Sequence, residues 1–385
     1  MSRFSGTRVL FIGRQDDSVH AHNGLRCRAL DRLGCVVATL DPEQAGWLER
    51  LAGRDFEKRL VKALDSHKPQ LVIAMGGFGL DAVSIRAVRS GYSARWVNWF
   101  PGDLRVVNPA RQLAPAYDRM YLTGTDVTEE VQRGGVTPAV FLPLGCDPSV
   151  HKPMRAKGPF RANVVFAGEA TPRREMLLNE LVEFGLAVWG ESWKKTSLRD
   201  YCRGDLPTVE DYVRAYAGAT VGINVHHSLD DDPAHQGRGC NQRLFELSSI
   251  GVAQVVDARA DLAHHFEDGR EVLVFENPAQ LRGQVKRALQ EDAYRERLAN
   301  SARQRSLSNH TYMHRMSAML ADALQESPKS WVRSGRLVPF PSENQIHAVR
   351  VGVLGQRVRP PGFCDVISLV CSHQKVTDSG QHLFG

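Results

Sequence analysis

A polar, glycine-containing loop leads into a short helix in the second half of the chain, and together they carry the residues with the clearest chemistry. Gly237 and Gly239 would let a ligand approach the backbone closely. The helix that follows Asn241 offers unpaired amides and partial positive charge at its first turn, which suits a diphosphate, and Arg243 could bind that group with two hydrogen bonds. Glu246, one turn further, could accept hydrogen bonds from a ribose diol. An ordinary amphipathic helix with solvated charges fits the same spacing.

Other strand ends are also followed by polar side chains. Gly168 and Arg173 lie where a strand gives way to a helix, so a phosphate could bind there, although a solvated helix start fits as well. His22 lies in the loop after the first strand, where a neutral imidazole could take a proton from a hydroxyl group; a plain polar loop is the alternative. Asp103 follows another strand and could be that base instead, or could cap a turn.

A run of histidines and aspartates between positions 226 and 235 invites a metal-binding interpretation. His226 and His227 are adjacent, so their side chains point apart, and the carboxylates at 230–232 with His235 match no recognised ligand spacing. The pattern favours a solvated loop, and we expect no bound metal. The sequence contains neither GxxxxGK[ST] nor GxSxG, which argues against P-loop and nucleophile-elbow enzymes.

Short apolar runs that alternate with helical patterns must position these residues. Because the runs are apolar throughout, they are typical of strands covered by helices on both faces of a parallel sheet. The predicted strands are 9–12, 35–40, 71–74, 96–100, 119–122 and 139–142 in the first half, and 163–167, 186–189, 220–225 and 253–256 in the second. Helices are predicted over 24–33, 43–66, 173–184, 209–217, 242–250, 279–290 and 291–305.

A stretch rich in proline and glycine, 143–159, separates these two halves. The sequence therefore predicts an α/β fold with two doubly wound domains, residues 1–150 and 151–330. We expect them to face a cleft, because ligands bind beyond the carboxyl ends of parallel strands. Residues 331–385 follow no helical or strand period and are interrupted by prolines and glycines, which predicts an irregular or disordered tail.

The composition limits the classes of protein that remain. With 385 residues, 42% hydrophobic and 24% charged, the chain is typical of a globular protein of about two domains. It has no apolar run long enough to cross a bilayer. The net charge of +6 favours anionic ligands but does not indicate a nucleic-acid partner. Seven scattered cysteines without a CxxC pair predict reduced thiols and a cytoplasmic location.

Several segments together resemble the spore-maturation-protein (CgeB-like) glycosyltransferases of the GT-B class, over roughly residues 7–320. In the second half they are the stretch NQRLFELSSIGVAQVVDARADLAHHF from Asn241, then Asp268–Phe275 and Asn309–Arg315. In the first half they are Trp99–Asp103, Tyr117–Asp118, Phe141–Pro148 and His151–Pro153, in the same order and spacing as in that family.

The resemblance implies two Rossmann-like domains and transfer of a sugar from a nucleotide-diphosphate donor to an unidentified acceptor, without a required metal or a bound cofactor. The first domain would hold the acceptor and a catalytic base, His22 or Asp103. The second would bind the nucleotide sugar through Gly168, Arg173, Gly237, Gly239, Asn241, Arg243 and Glu246, with Glu246 at the donor ribose. Many retaining GT-B enzymes carry a second acidic residue eight positions earlier, where this chain has Arg238. The stereochemical outcome and the donor therefore stay open.

Two other functions are compatible with the same residues. Because Arg238 replaces that acidic residue and no base is assigned, the chain could be a two-domain binding or assembly protein without catalytic activity. A sugar-nucleotide epimerase shares the two-domain layout, but it would need clustered acids and bases around a sugar carbon.

Overall fold

The structure, a computed structural model, describes residues 3–15, 22–44, 55–135, 137–227 and 237–324. The predicted tail at 331–385, and the positions 230–232 and 235 of the histidine- and aspartate-rich run, lie outside the described residues. Among the helices of the described ranges, none combines the length and apolarity that a bilayer span needs.

The first half of the chain builds a sheet of six parallel strands in the order β2-β1-β3-β4-β5-β6. These strands are β1 (Arg8–Ile12), β2 (Val36–Leu40), β3 (Leu71–Met75), β4 (Arg95–Phe100), β5 (Arg119–Leu122) and β6 (Ala139–Phe141). The helices between them are α1 (His22–Arg32), α2 (Asp55–His67), α3 (Ala82–Arg89), α4 (Val107–Leu113) and α5 (Thr125–Arg133). We call this part the first lobe.

The second half builds a sheet of five parallel strands in the order β11-β10-β9-β7-β8, and we call this part the second lobe. Its strands are β7 (Ala162–Ala167), β8 (Leu186–Trp189), β9 (Ala219–Asn224), β10 (Ala253–Asp257) and β11 (Leu273–Phe275). Its helices are α6 (Pro172–Asn179), α7 (Val209–Ala217), α8 (Gln242–Ile250), α9 (Pro278–Gln290) and α10 (Asp292–Asn309). The α/β fold with two parallel sheets that the sequence predicts is confirmed.

Burial on both faces explains why the strands are apolar throughout. In β1, Leu10 and Ile12 face one helical layer while Val9 and Phe11 face the other, and all four are fully buried. The second sheet repeats the arrangement, with two apolar clusters on its opposite faces. The alternation of strand side chains between faces therefore places a complete core on each side of each sheet.

The last described helix, α11 (Tyr312–Ala323), returns to the first lobe. Tyr312, Met316 and Leu320 belong to the same buried apolar cluster as Leu25 and Leu30 of α1. Thr311 begins α11 with a capping box, in which its hydroxyl accepts from the backbone N–H of His314. The described chain therefore crosses from the first lobe to the second and back again.

The structure corrects some element boundaries. The predicted helix at 173–184 ends at Asn179, and a separate 3₁₀ turn covers Val182–Phe184 before Gly185, whose φ is +77°. A residue with a side chain is strained in that left-handed conformation, so the glycine ends the helical segment. The sequence predictions also missed α3, α4, α5, α11 and β11.

Candidate functional site

The carboxyl ends of the two sheets face each other and come into contact. A Cβ atom added to Gly239 would lie 2.9 Å from the carbonyl oxygen of Thr123, and one added to Gly237 would lie 3.3 Å from the Cβ of Asp103. Both glycines thus let the backbone of the second lobe approach the first lobe closely. In the described structure this inter-lobe contact is what their missing side chains permit, and close approach of a ligand there stays a prediction.

Polar contacts reinforce this junction at the start of α5. Both carboxylate oxygens of Asp261 accept hydrogen bonds from Thr125, from its backbone N–H at 2.8 Å and from its hydroxyl at 2.6 Å. The backbone N–H of Arg238 donates to Asp126 at 2.8 Å. An acid from the second lobe therefore caps a helix of the first, where the partial positive charge of the helix N-terminus favours it.

Asp257, at the end of β10, is the buried anionic centre of the second sheet's carboxyl edge. It contacts the Nδ1 of His226 at 2.6 Å, Arg173 at 2.9 Å and Arg259 at 3.5 Å. Burial alone would raise the pKa of the Asp257 carboxyl, but these three cationic or polar partners reverse the effect and hold that pKa well below its usual range. Asp257 is therefore ionised.

Two more arginines lie against the ring of Phe166 in β7. The guanidinium carbon of Arg243 is 4.9 Å from the ring centroid, and that of Arg174 is 5.2 Å from it. Arg243 donates to the carbonyl of Ala167, and Arg174 donates to the carbonyl of Val225 at 2.9 Å. Burial lowers the pKa of Arg174 to about 9, and the charge of Arg243 adds to this effect.

Gly168, directly after β7, makes room for this arrangement. Its φ of +146° is one that residues with a side chain rarely adopt, and a Cβ atom there would lie 2.8 Å from Nη2 of Arg243. Arg173 follows at the start of α6 and reaches Asp257. The structure thus brings the predicted residues Gly168, Arg173 and Arg243 to one edge of the sheet.

We call Arg173, Arg174, Arg243 and Arg259 the arginine cluster. Within the described residues, several buried nitrogens of this region have no hydrogen-bond partner: Nε of Arg174, Arg243 and Arg259, and Nε2 of His226. The three arginine Nε atoms are buried donors without partners, which is costly, so they favour a ligand that accepts hydrogen bonds. The excess of positive charge over the single contacting carboxylate further favours an anion.

Asn241 and Glu246 have protein partners in α8 and around it. The side chain of Asn241 caps the helix by accepting from the N–H of Leu244 at 3.2 Å, and it donates to Asn224 at 2.7 Å. The buried carboxylate of Glu246 accepts from the Tyr212 hydroxyl at 2.8 Å.

Two histidines approach the other oxygen of Glu246, His151 at 3.5 Å and His22 at 3.7 Å. Although burial alone would raise the pKa of Glu246, His151, His22 and Tyr212 lower it overall. Because His22 belongs to the first lobe, Glu246 takes part in the contact between lobes. Its predicted role at a donor ribose stays a prediction.

His22, the first residue of α1, lies on the wall of a cavity of about 420 Å³ at the carboxyl edge of the first sheet. Its Nδ1 is 3.0 Å from the side-chain nitrogen of Gln242, which also donates to the Tyr312 hydroxyl. The cavity is walled by Gly13, Arg14, His22, Asn23, Arg26, Pro42, Glu43, Met75, Gly77, Pro101, Leu144 and Gln242. A small molecule would fit there, since such sites have volumes of about 300–1,000 Å³.

Asp103, the other predicted base, lies near the junction of the lobes and begins a short 3₁₀ helix. Arg105 binds its carboxylate with Nε at 2.8 Å and with Nη2 at 2.5 Å. Burial would raise the pKa of Asp103, but the hydrogen bonds and charge of Arg105 lower it overall. A carboxylate held in this way is a weak base, so of the two candidates His22 is better suited to accept a proton.

Some residues of the site escaped the sequence analysis. Asp257, Arg259 and Arg174 were not singled out, and His226 was considered only as a metal ligand. Each of them lies at or within two residues of the end of a strand, or in the first turn of the next helix, and this position is the signal that could have found them. In the described part of the chain, no group of three or more histidine, cysteine or acidic side chains could hold a metal ion.

The model of a family described as glycosyl transferase-like matches residues 173–321. That range covers most of the second lobe, including Arg173, Arg243, Glu246 and Asp257. No curated protein matches the chain at a significant level.

Three solved structures share the fold. Sucrose-phosphate synthase from Thermosynechococcus elongatus superposes with a TM-score of 0.60 and 14% identity, over 82% of this chain and 98% of its own. HepE from Anabaena, solved in complex with UDP and glucose, superposes with a TM-score of 0.57 and 12% identity, over 82% of this chain and 100% of its own. A glycosyltransferase from Rickettsia africae superposes with a TM-score of 0.58 and 9% identity, over 84% of this chain and 100% of its own. The GT-B fold is therefore confirmed, whereas the CgeB-like relationship stays a prediction.

Proposed function

We propose that this protein is a glycosyltransferase that takes a sugar from a nucleoside-diphosphate donor bound by the second lobe. The observation that carries the proposal is the arginine cluster at the carboxyl edge of the second sheet, with its unpaired buried donors. Two phosphates provide oxygens for such donors and compensate the positive charge. The glycosyl transferase-like match over 173–321 and the UDP in the related HepE structure support a nucleotide as the source of that diphosphate.

In the proposed reaction the bond between the sugar's anomeric carbon and the diphosphate oxygen breaks. Negative charge grows on the leaving diphosphate, and the arginine cluster stabilises that charge more strongly in the transition state than in the bound donor. Arg243 and Arg173 are fixed by Ala167, Phe166 and Asp257. The cluster therefore requires little reorganisation when the charge develops.

The acceptor would lie in the cavity of the first lobe. Its hydroxyl oxygen forms the new bond to the anomeric carbon, and its proton passes to a base. His22 is the better placed candidate, because it lines the cavity and contacts Gln242 and Glu246 of the second lobe. We further propose that the reaction requires no metal, so that excess EDTA leaves the rate unchanged.

Isothermal titration calorimetry of the full chain with UDP, dTDP and GDP tests the site. We expect one of these nucleotides to bind, and we expect Arg243→Ala and Glu246→Ala to weaken that binding while the variants stay folded. Arg282→Ala is the control, because Arg282 pairs with Glu183 on the surface. The proposal fails if no nucleotide binds, or if both site variants bind as the wild type does.

Product analysis separates the three functions considered from the sequence. A transferase releases the nucleoside diphosphate from its sugar donor faster when an acceptor is present. An epimerase returns an altered donor in the absence of acceptor. A binding protein would bind the nucleotide and leave the donor intact.

A further inference from the structure

Arg26 of α1 is a buried cation in the wall of the first-lobe cavity. Its exposed fraction is 4%, and it lines the cavity together with His22, Asn23 and Gln242. The arginine cluster lies at the carboxyl edge of the other sheet, so Arg26 belongs to a different place in the molecule. No role for it follows from the binding of a nucleotide donor.

The protein partners of Arg26 are neutral. Its Nη1 donates to the side-chain oxygen of Asn23 at 2.6 Å. Its guanidinium carbon lies 4.8 Å from the ring of Trp99 and 5.2 Å from that of Tyr312. Within the described ranges, its Nε has no hydrogen-bond partner and no carboxylate lies at ion-pair distance from it. Glu246 acts on Arg26 at longer range.

A buried charge without a paired opposite charge is unfavourable, because the protein interior replaces the water that would solvate it. Burial accordingly lowers the pKa of Arg26. An arginine nevertheless keeps its proton in proteins, so the positive charge stays in the cavity wall. Stacking on Trp99 and Tyr312 offsets part of this cost, but it leaves the Nε–H donor unused.

The other charges around the cavity do not compensate Arg26. Arg14 and Glu43 form an ion pair at 3.6 Å, and both are largely exposed. The eleven-residue helix α1 also begins at this wall with His22 and Asn23, which adds the partial positive charge of a helix N-terminus. The wall of the cavity is therefore suited to a negatively charged group.

We propose that the acceptor carries a phosphate or carboxylate group that pairs with Arg26 while its hydroxyl group lies near His22. This inference deepens the proposed function and rests on it. A charged group bound in the cavity would fix the orientation of a small hydroxyl compound, which is how binding energy away from the reacting atoms accelerates a transfer.

Matched acceptors test the class of substrate. The full chain, with its nucleotide-sugar donor, is offered acceptors in three pairs of one neutral and one charged compound. The pairs are glucose with glucose 6-phosphate, glucose with glucuronate, and glycerol with glycerol 3-phosphate. We expect the charged member of at least one pair to have a kcat/KM at least about 30-fold higher, in keeping with one charge-assisted hydrogen bond. Equal or better use of the neutral members overturns the proposal.

A binding measurement decides the question if none of these compounds is used. The wild type is first saturated with whichever of UDP, dTDP and GDP it binds, so that the arginine cluster is occupied. Inorganic phosphate or glucose 6-phosphate is then titrated while thermal unfolding is followed. We expect the melting temperature to rise further with the anion and not with glucose. The absence of any further rise overturns the proposal.

Variants on one helix identify the residue. Arg26→Gln should abolish the response to the anion and leave UDP binding unchanged, whereas Arg26→Lys should keep part of it. Arg28→Gln is the matched control, because Arg28 is exposed on the same helix. An Arg26→Gln protein that still responds overturns the assignment, and if that variant does not fold, the wild-type measurements decide. Failure of the wild type to bind any of UDP, dTDP and GDP would instead contradict the proposed function itself.

Discussion

At the carboxyl edge of the second sheet, the arginine cluster and His226 lie around the carboxylate of Asp257, whereas the same edge of the first sheet borders a cavity with one buried cation, Arg26. The second edge is densely charged and its groups hold one another in place. The first edge is more open, and its buried polar contacts are mostly neutral. The difference shows that one fold, used twice, builds a highly charged edge in one lobe and an open cavity with few buried charges in the other.

The largest effect should come from Asp257→Ala. Removing one partner of a buried ion pair leaves Arg259, Arg173 and His226 uncompensated, and we expect a loss of about 3–5 kcal/mol in the free energy of unfolding, measured by urea denaturation. Asn98→Ala is the comparison on the first edge, where Asn98 exchanges neutral hydrogen bonds with Gly76. The Asn98→Ala substitution should lower the free energy of unfolding by about 1–3 kcal/mol. Equal losses would contradict the contrast between the two edges.

Arg243→Gln should weaken the binding of UDP by about 10–100-fold, because one charge-assisted hydrogen bond contributes about 1.5–3 kcal/mol. Calorimetry measures the dissociation constant, with Arg26→Gln as the counterpart in the first lobe. Arg26→Gln should bind UDP as the wild type does. A stronger effect of Arg26→Gln would reverse the assignment of donor and acceptor to the two edges.

The second lobe also buries histidine side chains, and these make the stability of the protein depend on pH. Burial, with help from Arg315, lowers the pKa of His265 to about 3. An unfolded histidine binds a proton near pH 6.5, so the stability from His265 is fully present above that pH. Below it, stability should fall by about 1.4 kcal/mol per pH unit until the folded pKa is reached.

His265→Phe removes the titrating group and keeps a ring against Phe245. The slope of unfolding free energy against pH between 4 and 6, from urea curves, should become smaller by about 1.4 kcal/mol per pH unit. An unchanged slope would mean that His265 is not buried in its neutral form.

The smallest effect concerns Asp103. Arg105→Gln removes the partner that lowers the pKa of Asp103, so that pKa should rise, and the rise should be small because Arg105 is exposed. If Asp103 is the base that the sequence allows, the acidic limb of the kcat/KM profile shifts upward by the same amount. A profile that does not move favours His22 as the base.

Strands β1 to β10 were predictable because each consists mostly of apolar residues, whereas β11 was missed. The helices α3, α4 and α5 were missed, although α3 is as long as α6 and α5 is as long as α7 and α8, which were predicted. Arg243 and Gly168 could be found from the strand–turn–helix pattern around them. Arg26 could not, since nothing in the helix 24–33 distinguishes a buried arginine from exposed Arg28 until the rings of Trp99 and Tyr312 are seen to enclose it.

The partners of Gly237 and Gly239 were beyond sequence reasoning for a related reason. A glycine indicates that something approaches the backbone, but it does not say whether that is a ligand or another part of the chain. Here Asp103 and Asp126 of the first lobe lie beside Gly237, and Thr123 and Gly124 lie beside Gly239. Contacts between residues more than 100 positions apart are set by how the two lobes meet, which no local pattern encodes.

The return of α11 to the first lobe has a consequence for biosynthesis. The ribosome releases the six strands of the first sheet long before it makes Tyr312, Met316 and Leu320, which complete the apolar layer over α1. Until then that layer is exposed to water and to other nascent chains. A protein shortened at Asn309 should therefore aggregate through its N-terminal half, although every strand of both sheets is still encoded.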